Sequence, residues 1–179
     1  MKGIIIYKGK YGATQQYAEW LSEELHLPVL KPENLTASNL PLYDIVIIGS
    51  SVYEGNLLMK NWLKKYVEIL QSKKVFLFIV CATPPTENEK LQTIAKNNIP
   101  AMLNHCAVYF LHGRMILKQL SWIDRFMMKM GARLQKDPQV KKEMLQDFDA
   151  VKKENITALV NAAKILRPAK RETIHSQIL

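Results

Sequence analysis

The sequence predicts a doubly wound α/β fold: a parallel sheet in a three-layer arrangement with helices on both faces. Three observations predict it. Short apolar runs rich in β-branched residues recur along the chain, and amphipathic helical patterns separate them. The apolar runs also lack strict polar alternation, as strands covered on both faces do. Strand–helix alternation of this kind implies parallel strands joined by right-handed crossovers. Five such runs in 179 residues suit a five-stranded sheet of order 2-1-3-4-5, and one domain spanning residues 1–179.

In chain order the expected strands are Lys2–Tyr7, Leu27–Leu30, Asp44–Ser50, Val75–Cys81 and Ala107–Leu111. Thr14–Leu25 reads as a helix, with Tyr17, Ala18, Leu21 and Leu25 on one face. Leu57–Leu70 repeats the pattern with Leu58, Trp62, Tyr66 and Ile69, and Thr86–Asn97 gives a more polar helix. The closing helix is expected over Phe148–Leu166, with Asp147 as its N-cap and Pro168 beyond its end.

One stretch exceeds a minimal version of this fold. Residues 113–146 separate the fifth strand from the closing helix, and Ile116–Leu134 within them reads as a basic amphipathic helix. Ile116, Leu120, Ile123, Met127, Met130 and Leu134 fall on one arc; Lys118, Arg125, Lys129 and Arg133, with Trp122 among them, fall on another. Such a helix either packs its apolar arc on the sheet or lies on a membrane surface. Asp124 beside Arg125 reads as an exposed ion pair of little energetic weight.

Composition narrows the function classes. With 48% hydrophobic and 23% charged residues the chain is globular rather than disordered. A chain of this length buries about 70% of its unfolded surface and needs neither disulfide nor metal to hold a core. Cys81 and Cys106 lie in or beside apolar runs, so both are expected as free buried thiols in a reducing compartment. The run Ile4–Tyr7 is far too short for a signal sequence or a membrane span, which gives a cytoplasmic expectation. A net charge of +9 suits acidic small molecules, anionic lipid or nucleic acid. Nucleic acid is disfavoured, because the basic residues are spread over several helices without a recognition module.

In open α/β sheets ligands bind beyond the carboxyl ends of the strands, at the switch point beside strand 1. There the loop Lys8-Gly9-Lys10-Tyr11-Gly12-Ala13-Thr14 runs straight into a helix. Its glycines let backbone N–H groups approach an anion, the helix N-terminus favours negative charge, and Thr14 adds a hydroxyl. Lys10 either adds charge or points to water. A Walker A loop is excluded because Gly12 is followed by Ala13-Thr14, and a dinucleotide fingerprint because the glycine pattern is G-x-x-G. A phospho-accepting receiver is excluded because Ser50-Ser51 stands where its carboxylate belongs. After strand 3, the glycine-flanked segment Ser51-Val52-Tyr53-Glu54-Gly55 offers Tyr53 as a face for a flat ring. After strand 4, Ala82-Thr83 before two prolines forms a stiff loop of small residues for the opposite face. Cys81 reads as a small buried hydrophobe, and His112 more readily as a satisfied histidine than as a proton shuttle.

The stretch IIIYKGKYGATQQYAEWLSEEL, with IVIIGSSVYEGN after strand 3, resembles the flavodoxin-domain group that includes the menaquinone-dependent protoporphyrinogen oxidases. CAVYFLHGR followed by SWIDRFMMKM is similar to a segment of that group that ordinary flavodoxins lack. The resemblance implies a flavodoxin-like fold holding FMN, its phosphate on Gly9, Lys10, Tyr11, Gly12, Ala13 and Thr14. The ring would lie between Ser51, Val52, Tyr53, Glu54 and Gly55 on one side and Ala82 and Thr83 on the other. Gly9 departs from the group's usual Ser or Thr, removing one phosphate hydroxyl worth roughly 1.5–3 kcal/mol. The implied reaction passes electrons from an acidic tetrapyrrole to a quinone, with peripheral contact at the inner face of the cell membrane. Arg114, Lys118, Trp122, Arg125, Lys129 and Arg133 are the expected substrate or membrane face. No general base is evident, and no metal site is expected. A flavodoxin-like electron carrier and an FMN-free interaction domain of the same fold remain as alternatives.

Overall fold

Strands form where the β-branched runs predicted them, and each core strand is buried on both faces. In the computed structural model, which describes residues 1–166 (the Glu143 side chain aside), β1 (Gly3–Lys8) leads through a tight loop into α1 (Ala13–Leu25). β2 (Val29–Leu30) and β3 (Ile45–Tyr53) follow, and β4 (Asn56–Leu57) turns back on β3. The chain continues through α2 (Lys60–Lys65), α3 (Val67–Leu70), β5 (Lys74–Cys81), α4 (Asn88–Asn98) and β6 (Ala107–His112). The main sheet runs β2-β1-β3-β5-β6, all parallel, so its five principal strands take the expected 2-1-3-4-5 order.

Alternate residues of each strand feed opposite layers. Ile5 and Tyr7 of β1 pack with Ile47, Phe78 and the α1 residues Tyr17, Ala18 and Leu21. Ile4 and Ile6 face the other way, onto Ile48, Leu63, Leu70 and Leu77. This period-2 partition is how a strand without polar residues serves two cores at once. Both cysteines are free and buried.

Three helices differ from the sequence expectation. The Leu57–Leu70 pattern is divided, because Leu57 is taken into β4 and Tyr66 leaves helical geometry between α2 and α3. Tyr66 donates its hydroxyl to the Leu35 carbonyl (3.1 Å) and packs its ring on Trp62, a tertiary demand that overrides helix continuity. Ile116–Leu134 is not one helix either. After the short β7 (Arg114–Met115) and a 3₁₀ turn at Leu117–Gln119, Leu120 and Ser121 are extended, and α5 spans only Trp122–Leu134. Ser121 accepts a hydrogen bond from the Asp124 amide (3.2 Å), the N-cap that starts the helix there.

α6 (Pro138–Met144) opens on Asp137, whose Oδ1 accepts from the Gln139 amide at 2.8 Å. The closing helix is also shorter than expected. Phe148–Asp149 forms β8, paired antiparallel with β7; a 3₁₀ turn covers Lys153–Ile156, and α7 is Thr157–Ile165. Asp147 is not an N-cap: its Oδ1 accepts from the Leu117 amide (2.7 Å), stapling the two ends of the inserted segment. Pro168 lies outside the described residues.

Candidate functional site

Three loops converge at the carboxyl end of the sheet, and the inserted segment closes over them. A cavity of about 450 Å³ lies there, within the usual range for small-molecule sites. Lys10, Tyr11, Ala13 and Thr14 line it from the β1–α1 loop, Ser51 to Glu54 from the end of β3, and Ala82 from the loop after β5. Leu120, Asp124 and the methionines at 115, 127, 128 and 144 line it from the insertion. Gly9 and Gly12 line a second, polar cavity of about 300 Å³, which Lys10 also borders. Gly55 and Thr83 border neither of these cavities.

The backbone geometry of the loops has clear causes. Gly12 precedes α1 with φ +81°, and no side chain caps that helix, so its first-turn N–H groups have no side-chain acceptor. Glu54 and Gly55 both take positive φ in the two-residue β3–β4 hairpin, as a type I′ turn requires. Asn98, almost fully buried, holds that hairpin. Its Oδ1 accepts from the Leu57 amide (3.0 Å) and its Nδ2 donates to the Gly55 carbonyl (2.9 Å). Asn98 has no motif in the sequence and was not anticipated.

Gly9 has a steric role. A Cβ there would lie 2.7 Å from both Cβ and Oγ1 of Thr14, too close for a side chain. A hydroxyl-bearing side chain at position 9 fits only if Thr14 shifts, because Thr14 fills the space.

Asp124 overturns its sequence reading. It is only 6% exposed and does not pair with Arg125, whose Nη2 donates instead to the Leu120 carbonyl (3.0 Å). Tyr53 donates its hydroxyl to Asp124 Oδ1 at 2.7 Å, Lys10 Nζ lies 2.7 Å from Oδ2, and the Tyr11 hydroxyl also donates to Oδ2. Lys10, although exposed, is therefore committed to Asp124 rather than free in the phosphate loop. Its ammonium lies 3.7 Å over the Tyr53 ring, covering one face of that tyrosine. Burial works to lower the Lys10 pKa, but hydrogen bonds and charge from Asp124 and Tyr53 outweigh it and hold the ammonium above its usual value.

The expected basic face divides in two. Trp122 (76% exposed), Arg125, Lys129 and Arg133 lie on the outside of α5, and Lys118 is exposed on the preceding 3₁₀ turn. Arg114 does not belong with them: it lines the main cavity, 3.6 Å from Asp149 Oδ2, with a buried Nε that makes no hydrogen bond. The apolar arc is only partly packed: Leu120 is buried and Ile116 half-buried, but Ile123, Met127, Met130 and Leu134 are exposed, and within α5 only Asp124 and Ala132 are buried.

A further chamber of about 570 Å³ shares Ala82, Met115, Met128 and Met144 with the main cavity. His112 lines it, its ring centroid 6.1 Å from that of Phe148, and among the described residues no hydrogen bond engages the imidazole. Among the described residues no cluster of His, Cys, Asp and Glu is arranged for a metal ion, and no helix is long and apolar enough to cross a membrane.

The residues fit a flat phosphorylated cofactor such as FMN. The main cavity is mostly apolar and flanked by the uncapped N-terminus of α1, and Ser51, which lines it, has a buried Oγ with no hydrogen-bond partner. An orphaned hydroxyl at a cavity wall is where a ligand's polar edge would be satisfied.

The chain is similar to several solved flavoproteins. Oxidised flavodoxin 1 from Bacillus cereus is 20% identical, over 63% of this chain and 86% of its own, with a TM-score of 0.43. A flavodoxin from the domain Archaea is 15% identical over 92% and 99% of the two chains, with a TM-score of 0.43. A Lactobacillus acidophilus flavoprotein solved in complex with FMN is 15% identical over 62% and 91%, with a TM-score of 0.45. No curated protein sequence matches the chain. The sequence model of the flavodoxin domain matches residues 4–142, which run from β1 through the loops just described into α6. With that match over most of its length, and the strand order to go with it, the chain belongs to the flavodoxin-domain family.

Proposed function

We propose that this chain binds FMN non-covalently and acts as an oxidoreductase of the protoporphyrinogen oxidase type, passing electrons from an acidic tetrapyrrole to a quinone at a membrane surface. The observation that carries this reading is the cavity itself, where the three loops of the fold meet a helical segment that a minimal domain would not need. FMN would supply the ring that accepts and releases electrons. Here the chain's own residues bind and orient. The α1 N-terminus and Thr14 hold the phosphate, and Ser51 offers a hydroxyl to the ring's polar edge. The methionine wall conforms to a flat ligand and excludes water.

Substrate binding draws on two further features. Arg114 lines the cavity, and its guanidinium, paired with Asp149 only through Nε at 3.6 Å, suits a carboxylate. The adjoining chamber provides room that a simple carrier would not require, and its carboxylates are already engaged. Asp147 takes the Leu117 amide, Asp149 pairs with Arg114, and Glu87 pairs with Lys90.

The outside of α5 supports the membrane assignment. Exposed Trp122, Phe126 and Leu134 beside Arg125, Lys129 and Arg133 form the combination that inserts at an anionic interface. Turnover of protoporphyrinogen with a soluble naphthoquinone tests the reaction: tight FMN without turnover would leave an electron carrier. For the surface, Arg125→Glu/Lys129→Glu is expected to retain FMN and lose most sedimentation with anionic vesicles. Undiminished sedimentation would defeat the membrane contact.

A further inference from the structure

We propose that Asp124 is a positioning residue through which the inserted helix becomes part of the flavin site, fixing the charge of Lys10 beside the ring. The inference rests on the FMN reading above and adds a role for a residue outside the core family loops.

The geometry is specific. Three donors meet one carboxylate: Tyr53 on Oδ1 (2.7 Å), and Lys10 (2.7 Å) with Tyr11 on Oδ2. They come from the two loops flanking the main cavity and reach across 71 to 114 positions of sequence to a helix with almost nothing else buried. Asp124 is itself fixed, since its amide is bonded to Ser121 Oγ (3.2 Å) and its carboxylate sits in the first turn, where the helix dipole favours negative charge. An ionised carboxylate accepts at both oxygens, whereas an asparagine has one acceptor and presents an NH₂ to donors. No other side chain of this size can satisfy an ammonium and two hydroxyls together.

The consequence is electrostatic. Lys10 stands over the Tyr53 ring with its countercharge held beside it, so the cavity wall carries a nearly neutral pair rather than a free cation. Reduction adds negative charge to a flavin. An uncompensated Lys10 stabilises the reduced form, and an uncompensated Asp124 destabilises it. Removing either partner therefore shifts the midpoint potential, in opposite directions, and removing both restores it.

The test uses the full chain as wild type, Asp124→Asn, Lys10→Met and the double variant. FMN affinity is read by quenching of flavin fluorescence, potential by spectroelectrochemistry, and the 122–134 amides by hydrogen exchange. The expected results are a positive shift for Asp124→Asn, a negative shift for Lys10→Met, and near wild-type potential in the double variant. Asp124→Asn should also bind FMN several-fold more weakly and exchange faster in α5, and FMN should protect α5 in the wild type. If Asp124→Asn does not fold, the negative shift in Lys10→Met still decides. Unchanged potentials would overturn the proposal even where α5 exchanges faster, since that pattern describes a purely structural clasp. A wild type that takes up no FMN would overturn the functional reading as well; FMN uptake with unchanged potentials overturns this inference alone.

Discussion

The sheet and the inserted segment hold themselves together by opposite means. In β1, β3 and β5 nearly every side chain is buried, and two apolar layers close around them. In α5 Ile123, Phe126, Met130 and Leu134 face outward, Leu134 being 80% exposed, and a buried carboxylate ties the helix to the body. Burial makes the first region stable and tolerant of loop variation. The second leaves its hydrophobic surface unspent, as regions committed to a partner or an interface do. The family match runs over both regions, from residue 4 in β1 to residue 142 in α6.

Substitutions should break the two regions differently. Ile47→Ala, in the fully buried centre of β3, is expected to cost about 2–5 kcal/mol of global stability, measured as a lower urea midpoint. Cys106 gives the core a pH signature. Burial pushes its thiol up from 9.0 to about 11, so the unfolded chain loses that proton first. Stability from this group is complete below pH 9 and is lost as pH rises toward 11, by roughly 2–3 kcal/mol in all. Cys106→Ala should flatten that alkaline decline in urea titrations at successive pH values.

Where the two regions meet, the expected effect is smaller and its sign is informative. Gly9→Ser adds a hydroxyl at the phosphate loop, yet its Cβ would meet Thr14 at 2.7 Å. FMN affinity is expected to fall about tenfold, or about 1.4 kcal/mol, in a fluorescence titration. A gain in affinity would show that the loop relaxes around position 9. At the far side of α5, Phe126→Ser should change stability by less than about 0.5 kcal/mol, because that ring is exposed. The same variant should sediment less with anionic vesicles, so the insertion would lose contact while the core registers nothing.

Legibility in the sequence follows the same division. The strand order was legible because β-branched runs without alternation have few other solutions, and the loop positions followed from it. The insertion was legible only in outline. Its amphipathic period ran on through Leu120 and Ser121, although Ser121 three residues before Asp124 is itself a helix-start signal. Asp137 before Pro138 marked α6 in the same way. Asp124 read as the neighbour of Arg125 because adjacency in sequence is visible and the approach of Lys10, Tyr11 and Tyr53 is not. Asn98 gave no signal at all, since its partners are backbone atoms brought near only by folding.

The most direct measurement is a titration of FMN into the full-length chain freed of bound flavin, followed by quenching of flavin fluorescence. Quenching that saturates at one FMN per chain and is weakened by Gly9→Ser is the predicted result. Fluorescence that stays that of free flavin, with the protein in excess, would contradict the cofactor assignment and leave a flavodoxin-domain fold serving another purpose.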